Sequence, residues 1–133
     1  MQEPRRAFPV ITEANRHFWC GGSDGRLHIL RCAAGHWIHP YAARCPACGS
    51  ADIAAHPVSG RGTVVGFTEN HQPWLPGVNL PYVVAIVELE EQHDVRLMTN
   101  MPRTPTADVH VGMPVKVFFE QHGEIWLPLF EAA

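Results

Sequence analysis

The chain has 133 residues, of which 46% are hydrophobic, and it carries ten basic and thirteen acidic side chains. A chain of this length forms one compact domain or two small units that share a core, and it leaves little room for a deep substrate cavity. The net charge of −3 lacks the excess of cations that neutralises many phosphates, so nonspecific nucleic-acid binding is disfavoured.

Two further features predict a cytoplasmic protein. The N-terminal sequence has no apolar signal segment, and the longest apolar run, residues 82–87, is far too short to cross a bilayer. The four cysteines, Cys20, Cys32, Cys45 and Cys48, could form two disulfides in an oxidising compartment. In the reducing cytoplasm, metal binding is the expected role of the clustered last three.

A helix and a strand are predicted at the start of the chain. Thr12 is a suitable N-cap, Glu13 lies favourably in the first turn, and the glycines at 21 and 22 stop the segment. These signals predict a short helix over about residues 12–20. The alternating apolar and polar residues of "GRLHILRC" then predict a strand that leads to Cys32.

Residues 32–50 show almost no hydrophobic periodicity, so a bound metal would have to supply the stability that burial does not. Cys45 and Cys48 of "CPACG" form one metal-binding knuckle, and Cys32 offers a third thiolate. For the fourth ligand, His36 lies nearer than His39 to the position that a knuckle turn brings back to the metal. Water or a partner residue could complete the site instead, and a site without metal is a further alternative.

The type of metal follows from the ligands. A histidine beside three thiolates favours zinc over iron. No glutamate accompanies the ligands in the way that a His-Glu-x-x-His motif arranges its general base, which argues against catalytic zinc. The expected zinc is therefore structural.

The rest of the chain has the pattern of a small antiparallel barrel. After a turn-rich hinge at 56–63, strands are predicted at 63–70, 82–89, 94–101, 114–120 and 124–130. The second strand, "YVVAIVEL", is expected to be buried on both faces. Five strands with a longer connection between the third and the fourth favour an OB-type Greek-key barrel. The predicted fold class is mainly β, with an N-terminal helix and a zinc ribbon ahead of a five-stranded OB-fold barrel.

No catalytic residues are predicted. The sequence has neither a glycine-rich phosphate loop nor a Gly-x-Ser-x-Gly elbow. Cys20 lies three residues after His17, on the same face of the predicted helix, but a free thiol beside a histidine is seldom catalytic. The histidines outside the ribbon are expected to be surface residues.

Contact residues are expected in two segments. The loop "NHQPWLPGVNLPY" joins the first two barrel strands, where OB folds commonly bind ligands or partners, and carries His71, Trp74 and Leu75 on a proline-stiffened arm. Trp74 either anchors a partner or an acyl chain, or folds back over the end of the barrel. In the apolar C-terminal segment, residues 125–127 are expected in the last strand and Phe130 at an interface.

Seven segments in a fixed order resemble one protein family. They are "RHFWCGGSDGRLHILRC", "IHPYAARCPACGS", "VSGRGTVVGFT", "PYVVAIVELE", "VRLMTNM", "VGMPVKVFFE" and "LPLFEA". Together they resemble the OB-fold proteins with an N-terminal rubredoxin-like zinc ribbon, a former domain of unknown function that is also described as acyl-CoA-associated. The resemblance covers almost the whole chain from about residue 14.

The chain departs from the family pattern in the ribbon. The family has Cys-x-x-Cys-Gly, then an aromatic-Pro pair, then Cys-Pro-x-Cys-Gly, whereas here Cys32 and Gly35 remain and the second cysteine is missing. His39, followed by a proline, falls where the family has its aromatic-Pro pair, which is a further reason to prefer His36. The expected zinc ligands are Cys32, His36, Cys45 and Cys48.

The resemblance implies a non-catalytic accessory subunit of a hetero-oligomer. Family members are similar to subunits that associate with thiolases, aldolases and acyltransferases of the thiolase-like kind, and others are partners of hotdog-fold enoyl-CoA hydratases. It implies docking on a thiolase-like catalytic subunit and an acyl-CoA at or near the shared interface, with neither nucleic acid nor a membrane as partner.

Several alternatives and the domain boundaries complete the prediction. The alternatives are a hydratase partner, a stand-alone acyl-CoA-binding protein and, as a weaker one, an OB-fold protein that binds single-stranded nucleic acid. The last would need aromatic and basic side chains interleaved on the second and third barrel strands, and few are present. The expected units are an N-terminal helical segment at 1–22, the ribbon at 23–56 and the barrel at 57–133.

Overall fold

The computed structural model describes residues 7–133, so the first six residues of the predicted N-terminal segment lie outside it. The helix α1 spans Arg16–Trp19, and short 3-10 turns span Gly21–Asp24 and Thr106–Asp108. The strands are β1 Leu27–Cys32, β2 Trp37–Ile38, β3 Ile53–Val58, β4 Arg61–Asn70, β5 Tyr82–Leu89, β6 Arg96–Asn100, β7 Pro114–His122 and β8 Ile125–Ala132. The fold class is mainly β, as predicted. Among the described residues, no helix has the length and apolarity of a membrane span.

The N-terminal helix is shorter than the predicted range of 12–20. Thr12 acts through its backbone, because its carbonyl accepts the N–H groups of Asn15 and Arg16 at 3.2 and 2.9 Å. The Asn15 side chain in turn accepts the N–H of Thr12 at 2.8 Å. Residues 12–15 thus form a turn that leads into α1, whose Phe18 is buried.

The ribbon is a three-stranded antiparallel sheet in the order β2-β1-β3. β1 pairs with β3 along its whole length, from Leu27 opposite Val58 to Cys32 opposite Ile53. The prediction of a hinge from residue 56 is therefore wrong, because β3 continues to Val58, two residues beyond the predicted end of the ribbon. Pro57 conceals this strand in the sequence, and it is tolerated because β3 is an edge strand.

The barrel sheet has the order β6-β5-β4-β7-β8, with all neighbours antiparallel. β6 contacts β8, which brings the two edges of the sheet together. Each barrel strand lies within two residues of its predicted bounds, and β5 matches them. A register shift between Val64 and Gly66 bends β4, as a β-bulge does, and helps the sheet to curl.

The prediction that β5 is buried on both faces is wrong. Its inward-facing residues are buried, whereas Ile86 on the outer face is 38% exposed. Met98, which lies directly opposite Ile86 on β6, is 74% exposed. Antiparallel sheets can leave one face to solvent, and the apolar composition of the outer residues hides this in the sequence. We refer to Tyr82, Val84, Ile86 and Met98 as the β5–β6 outer face.

The ribbon and the barrel share one core. Phe18 of α1 and Leu27 and Ile29 of β1 cluster with barrel residues such as Val64 and Phe130. A second cluster, formed by Leu30, Cys32, Ile38 and Cys45, belongs to the ribbon alone. The strand β1 therefore packs against the barrel through one set of side chains and supports the loops of the ribbon through another.

Candidate functional site

Four side chains of the ribbon, those of Cys32, His36, Cys45 and Cys48, lie close together, and we refer to them as the metal group. Cys32 ends β1, His36 precedes β2, and Cys45 and Cys48 lie in the loop between β2 and β3. One ligand atom from each lies within 4.8 Å of the others. Among residues 7–133, no other group of three or more potential ligands converges in this way. The structure thus brings together the four residues that the sequence singles out.

Three of the distances within this group match the edges of a tetrahedral metal site, and all four ligand atoms lie within 4.8 Å of one another. Cys32 Sγ lies 3.8 Å from Cys48 Sγ, and His36 Nδ1 lies 3.4 Å from Cys32 Sγ and 3.7 Å from Cys45 Sγ. Zinc bonds of about 2.3 Å to sulfur and about 2.0 Å to nitrogen give tetrahedral edges of about 3.8 Å between sulfurs and about 3.5 Å between sulfur and nitrogen. The group can therefore hold a metal ion.

The two turns that carry the ligands differ by one position. In the second turn, Gly49 directly follows the ligand Cys48 and has a φ of 75°. In the first turn, Gly35, with a φ of 92°, takes the position three residues after Cys32 where a second cysteine is expected. The next residue, His36, supplies the ligand atom instead. The left-handed glycine is thus kept in both turns, while the first turn places its ligand after the glycine.

The electrostatics of the thiols favour a bound cation. Burial opposes ionisation of the Cys32 thiol, but hydrogen bonds from the backbone N–H groups of His36 and Ala34 lower the pKa of Cys32 to about 6. At Cys48 the backbone N–H of Ser50 favours the thiolate, yet burial and the neighbouring thiols outweigh it and raise the pKa. A thiolate at Cys32 therefore disfavours a second thiolate at Cys48, and a bound cation would offset this repulsion and release the proton of Cys48.

His39 and Cys20 lie outside the metal group. The ring of His39 packs against Phe18 at 4.8 Å between centroids. Burial, followed by the proximity of His17, lowers the pKa of His39 to about 4. Its environment therefore keeps the imidazole neutral and in contact with α1. Cys20 is a half-buried free thiol, and no hydrogen bond joins it to His17 in the described part of the chain.

The expected contact loop presents its tryptophan to solvent. Trp74 is 71% exposed, so it does not fold back over the barrel end as core. Its indole N–H donates to Asn70 Oδ1 at 3.2 Å, and the Asn70 amide donates to the Gln72 carbonyl at 2.9 Å. Leu75 is 38% exposed. His71 is exposed and lies 3.6 Å from the Glu69 carboxylate. The loop thus holds an apolar ring outward with its polar atom already bonded.

Phe130, in contrast, is completely buried in the barrel core. The last strand is apolar on both faces because one side lines the barrel and the other is covered, where β8 contacts α1 and the 3-10 turn Gly21–Asp24. An interface through Phe130 would require the barrel to open, so the structure corrects its assignment as a surface contact.

Sequence reasoning missed a surface that adjoins the contact loop. Asn70, which holds Trp74, pairs across the sheet with Tyr82 at the start of β5. From there the β5–β6 outer face runs along the barrel through Ile86 to Met98. The signal that could have revealed it is the alternation along β5, because residues 82, 84 and 86 share one face of the strand.

The family comparison finds one match within the chain. The family model for the C-terminal OB-fold domain of ChsH2 matches residues 55–120, which include β4 to β6 and most of β7.

Three curated proteins are related to the chain along much of its length. A probable enoyl-CoA hydratase alpha subunit from Thermomonospora curvata is 37% identical over 99% of this chain, and a 3-oxo-4,17-pregnadiene-20-carboxyl-CoA hydratase alpha subunit from Mycobacterium tuberculosis is 38% identical over 84%. The chain spans only 42% and 35% of these two proteins. A DUF35 domain-containing scaffold protein from Pyrococcus furiosus is 38% identical over 69% of this chain and 67% of its own length.

A solved structure matches the whole architecture. One chain of a structure described as the Ltp2-ChsH2(DUF35) aldolase is 35% identical, with a TM-score of 0.83. The match covers 94% of this chain and 98% of that one, so ribbon and barrel are both included. The chain therefore belongs to the DUF35 family of OB-fold proteins, of which ChsH2 is a member.

Proposed function

We propose that the protein is a non-catalytic accessory subunit that docks on a thiolase-like acyl-CoA enzyme, stabilises it and helps to shape its acyl-CoA site. The observation that carries the proposal is Trp74, 71% exposed and held outward by Asn70. A large aromatic side chain that is fixed before binding loses little entropy on binding, and tryptophan is enriched among the residues that dominate interface energies. The names of the relatives, as alpha subunits and as a scaffold protein, support a role beside another chain.

The contact surface would combine the loop and the β5–β6 outer face. His71, Trp74 and Leu75 supply the loop part, and the exposed side chains of Ile86 and Met98 extend it along the sheet. An apolar area that continues from an ordered loop onto a sheet is typical of interaction sites. The partner would supply the catalytic groups.

The metal centre would be a zinc site with a structural role. Cys32, His36, Cys45 and Cys48 would hold the ion, which supplies stability to loops that have few buried apolar side chains. The ribbon would then be a rigid docking element, which contacts the partner in addition to the loop and the β5–β6 outer face.

The grooves found among residues 7–133 are small for a whole acyl-CoA. Two of these grooves have volumes of about 220 and 350 Å³, the first below the range for small-molecule sites and the second at its lower end. The larger groove lies between ribbon and barrel and is lined by Trp37, Tyr41 and Asp94, among others. An acyl-CoA site shared with a partner fits this size better than a stand-alone carrier.

A second candidate is partnership with an enoyl-CoA hydratase. It is favoured by the names of the two hydratase alpha subunits that share 37% and 38% identity with the chain. Both relatives are more than twice as long as their match to this chain, so the activity in their names is not assigned to the shared part. The docking surface proposed here would serve either partner.

Affinity purification of the tagged protein from its native host, with mass spectrometry of the bound proteins, tests the proposal. We expect one stoichiometric thiolase-like chain, and a hydratase chain would favour the second candidate instead. Trp74→Ala should weaken the association at least about tenfold, as expected for a central aromatic anchor. Val111→Ala is the control, because Val111 is also exposed, at 62%, but lies near the other end of β4. Purification of the protein alone, or an unimpaired Trp74→Ala variant, would contradict this proposal.

A further inference from the structure

The barrel reaches across to the ribbon through one side chain. Gln92, in the turn between β5 and β6, accepts the N–H of Trp37 through Oε1 at 2.9 Å and donates through Nε2 to the carbonyl of Trp37 at 2.8 Å. Trp37 begins β2, an edge strand of the ribbon sheet. The side-chain amide thus pairs with both backbone groups of Trp37, as a neighbouring strand would.

The neighbours of Gln92 fix this arrangement. Its Nε2 also donates to Asp94 Oδ1 at 2.6 Å, which determines which way the amide faces. The adjacent residue, Glu91, accepts the N–H of Ser59 at 2.7 Å. Ser59 lies in the two-residue connection between β3 and β4. The β5–β6 turn therefore holds the ribbon at two separate points, one at β2 and one at its junction with the barrel.

The residue before Trp37 is the histidine of the metal group. His36 donates its backbone N–H to Cys32 Sγ at 3.3 Å and places Nδ1 between Cys32 and Cys45. It is the ligand that replaces the missing cysteine, and it follows the left-handed Gly35. Because His36 lies outside the usual knuckle position, the placement of its imidazole depends on how the backbone at residues 36 and 37 is held. Gln92 holds this backbone through the N–H and the carbonyl of Trp37.

We propose that Gln92 is a positioning residue of the metal centre. By holding the backbone of Trp37 it fixes His36 for the metal, and it couples metal binding in the ribbon to the β5–β6 turn of the barrel. The inference rests on the metal centre of the proposed function. Partners that orient a metal ligand from outside typically contribute 10–100-fold to metal affinity.

The test is a titration with Co²⁺, whose absorption spectrum reports thiolate ligation and coordination geometry, in competition with a chelator. We expect the wild-type protein to bind one ion and Gln92→Ala to bind it about 10–100-fold more weakly. Gln92→Glu keeps the acceptor for the Trp37 N–H but sets a carboxylate oxygen against the Trp37 carbonyl and Asp94, so it too is expected to bind Co²⁺ more weakly than the wild-type protein. Gln121→Ala is the matched control, because Gln121 donates one hydrogen bond to a nearby carbonyl, that of Gly123, in the β7–β8 hairpin.

A second readout separates positioning from a general loss of stability. Co²⁺ should slow hydrogen exchange in residues 90–95 of the wild-type protein and of Gln121→Ala, but not in Gln92→Ala. Circular dichroism checks that each variant is folded. If Gln92→Ala does not fold, Gln92→Glu takes its place in both measurements. Equal Co²⁺ affinity and spectra in the wild-type protein and both Gln92 variants would overturn the positioning role and leave the metal centre intact. A wild-type protein that binds no Co²⁺ would overturn both the positioning role of Gln92 and the metal centre itself. Docking on a partner is tested separately, by the affinity purification described above.

Discussion

At the residue scale, the group of Cys32, His36, Cys45 and Cys48 shows how a histidine can complete a cluster of potential metal ligands that has only three cysteines. The two ligand-bearing turns share a left-handed glycine, Gly35 in one and Gly49 in the other. A ligand before the glycine can be a short cysteine, as Cys48 is. In the first turn the ligand comes after the glycine, and the longer imidazole of His36 spans the difference, with Nδ1 3.4 Å from Cys32 Sγ.

The first prediction distinguishes the two candidate histidines. His36→Ala should reduce the affinity for Co²⁺ or Zn²⁺ by more than about 100-fold, because loss of a direct ligand costs more than loss of an orienting partner. His39→Ala should leave metal affinity and the Co²⁺ spectrum unchanged, since His39 packs against Phe18 instead. Competition with a chromophoric chelator measures both. A weaker site in His39→Ala, with His36→Ala unaffected, would reverse the ligand assignment.

The residues of the site that could be predicted from the sequence contact near neighbours along the chain, whereas the one that could not be predicted contacts a distant residue. Cys45 and Cys48 are recognisable from local spacing, and His36 is preferred over His39 because it lies closer along the chain to Cys32. Gln92 is invisible in the sequence, since it bonds to a residue 55 positions away. The prediction of an interface at Phe130 is wrong because an apolar side chain near the C-terminal end looks the same in the sequence whether it faces a partner or the chain's own barrel core.

At the element scale, the longer apolar strands were predictable, and the short or interrupted ones were not. Each of the five barrel strands has at least five residues and contains apolar or β-branched side chains. β2 has only two residues, too few to show a period, and β3 contains Pro57 and an exposed run. Both depend on β1 for their pairing, which is a tertiary contact.

A close contact between elements gives the second prediction, on Gly22. This residue lies in the 3-10 turn Gly21–Asp24, and a Cβ added there would overlap the ring of Phe119 in β7. Gly22→Ala should lower the free energy of unfolding by about 1–3 kcal/mol through overpacking. Gly66→Ala is the control, because a Cβ at Gly66 meets no atom within 4 Å and neither glycine has a positive φ. It should change stability by less than about 1 kcal/mol.

Urea unfolding followed by circular dichroism measures both variants. The comparison isolates the steric contact, since both substitutions restrict the unfolded chain in the same way. Equal stabilities for Gly22→Ala and Gly66→Ala would show that the turn can move away from β7 without cost, and that α1 is only loosely attached to the barrel.

At the scale of the whole molecule, β1 links the metal group to the barrel. Leu27 and Ile29 belong to the core shared with the barrel, whereas Leu30 and Cys32 belong to the ribbon cluster. Loss of the metal should therefore disturb the loops of the ribbon more than the barrel. The loops between residues 33 and 52 would lose the ion that organises them, while the barrel side of β1 would keep its buried contacts.

The last prediction concerns removal of the metal by a chelator. Hydrogen exchange should accelerate in residues 33–52, and through the Gln92 contact in residues 90–95, while β4 and β8 stay protected. Association with the catalytic partner should fail, since a disordered ribbon would have to pay its ordering entropy on binding. Restoring Zn²⁺ should recover both protection and association. Undiminished association of the metal-free protein would show that the contact surface lies wholly on the barrel, around Trp74 and the β5–β6 outer face, and that the ribbon serves another purpose.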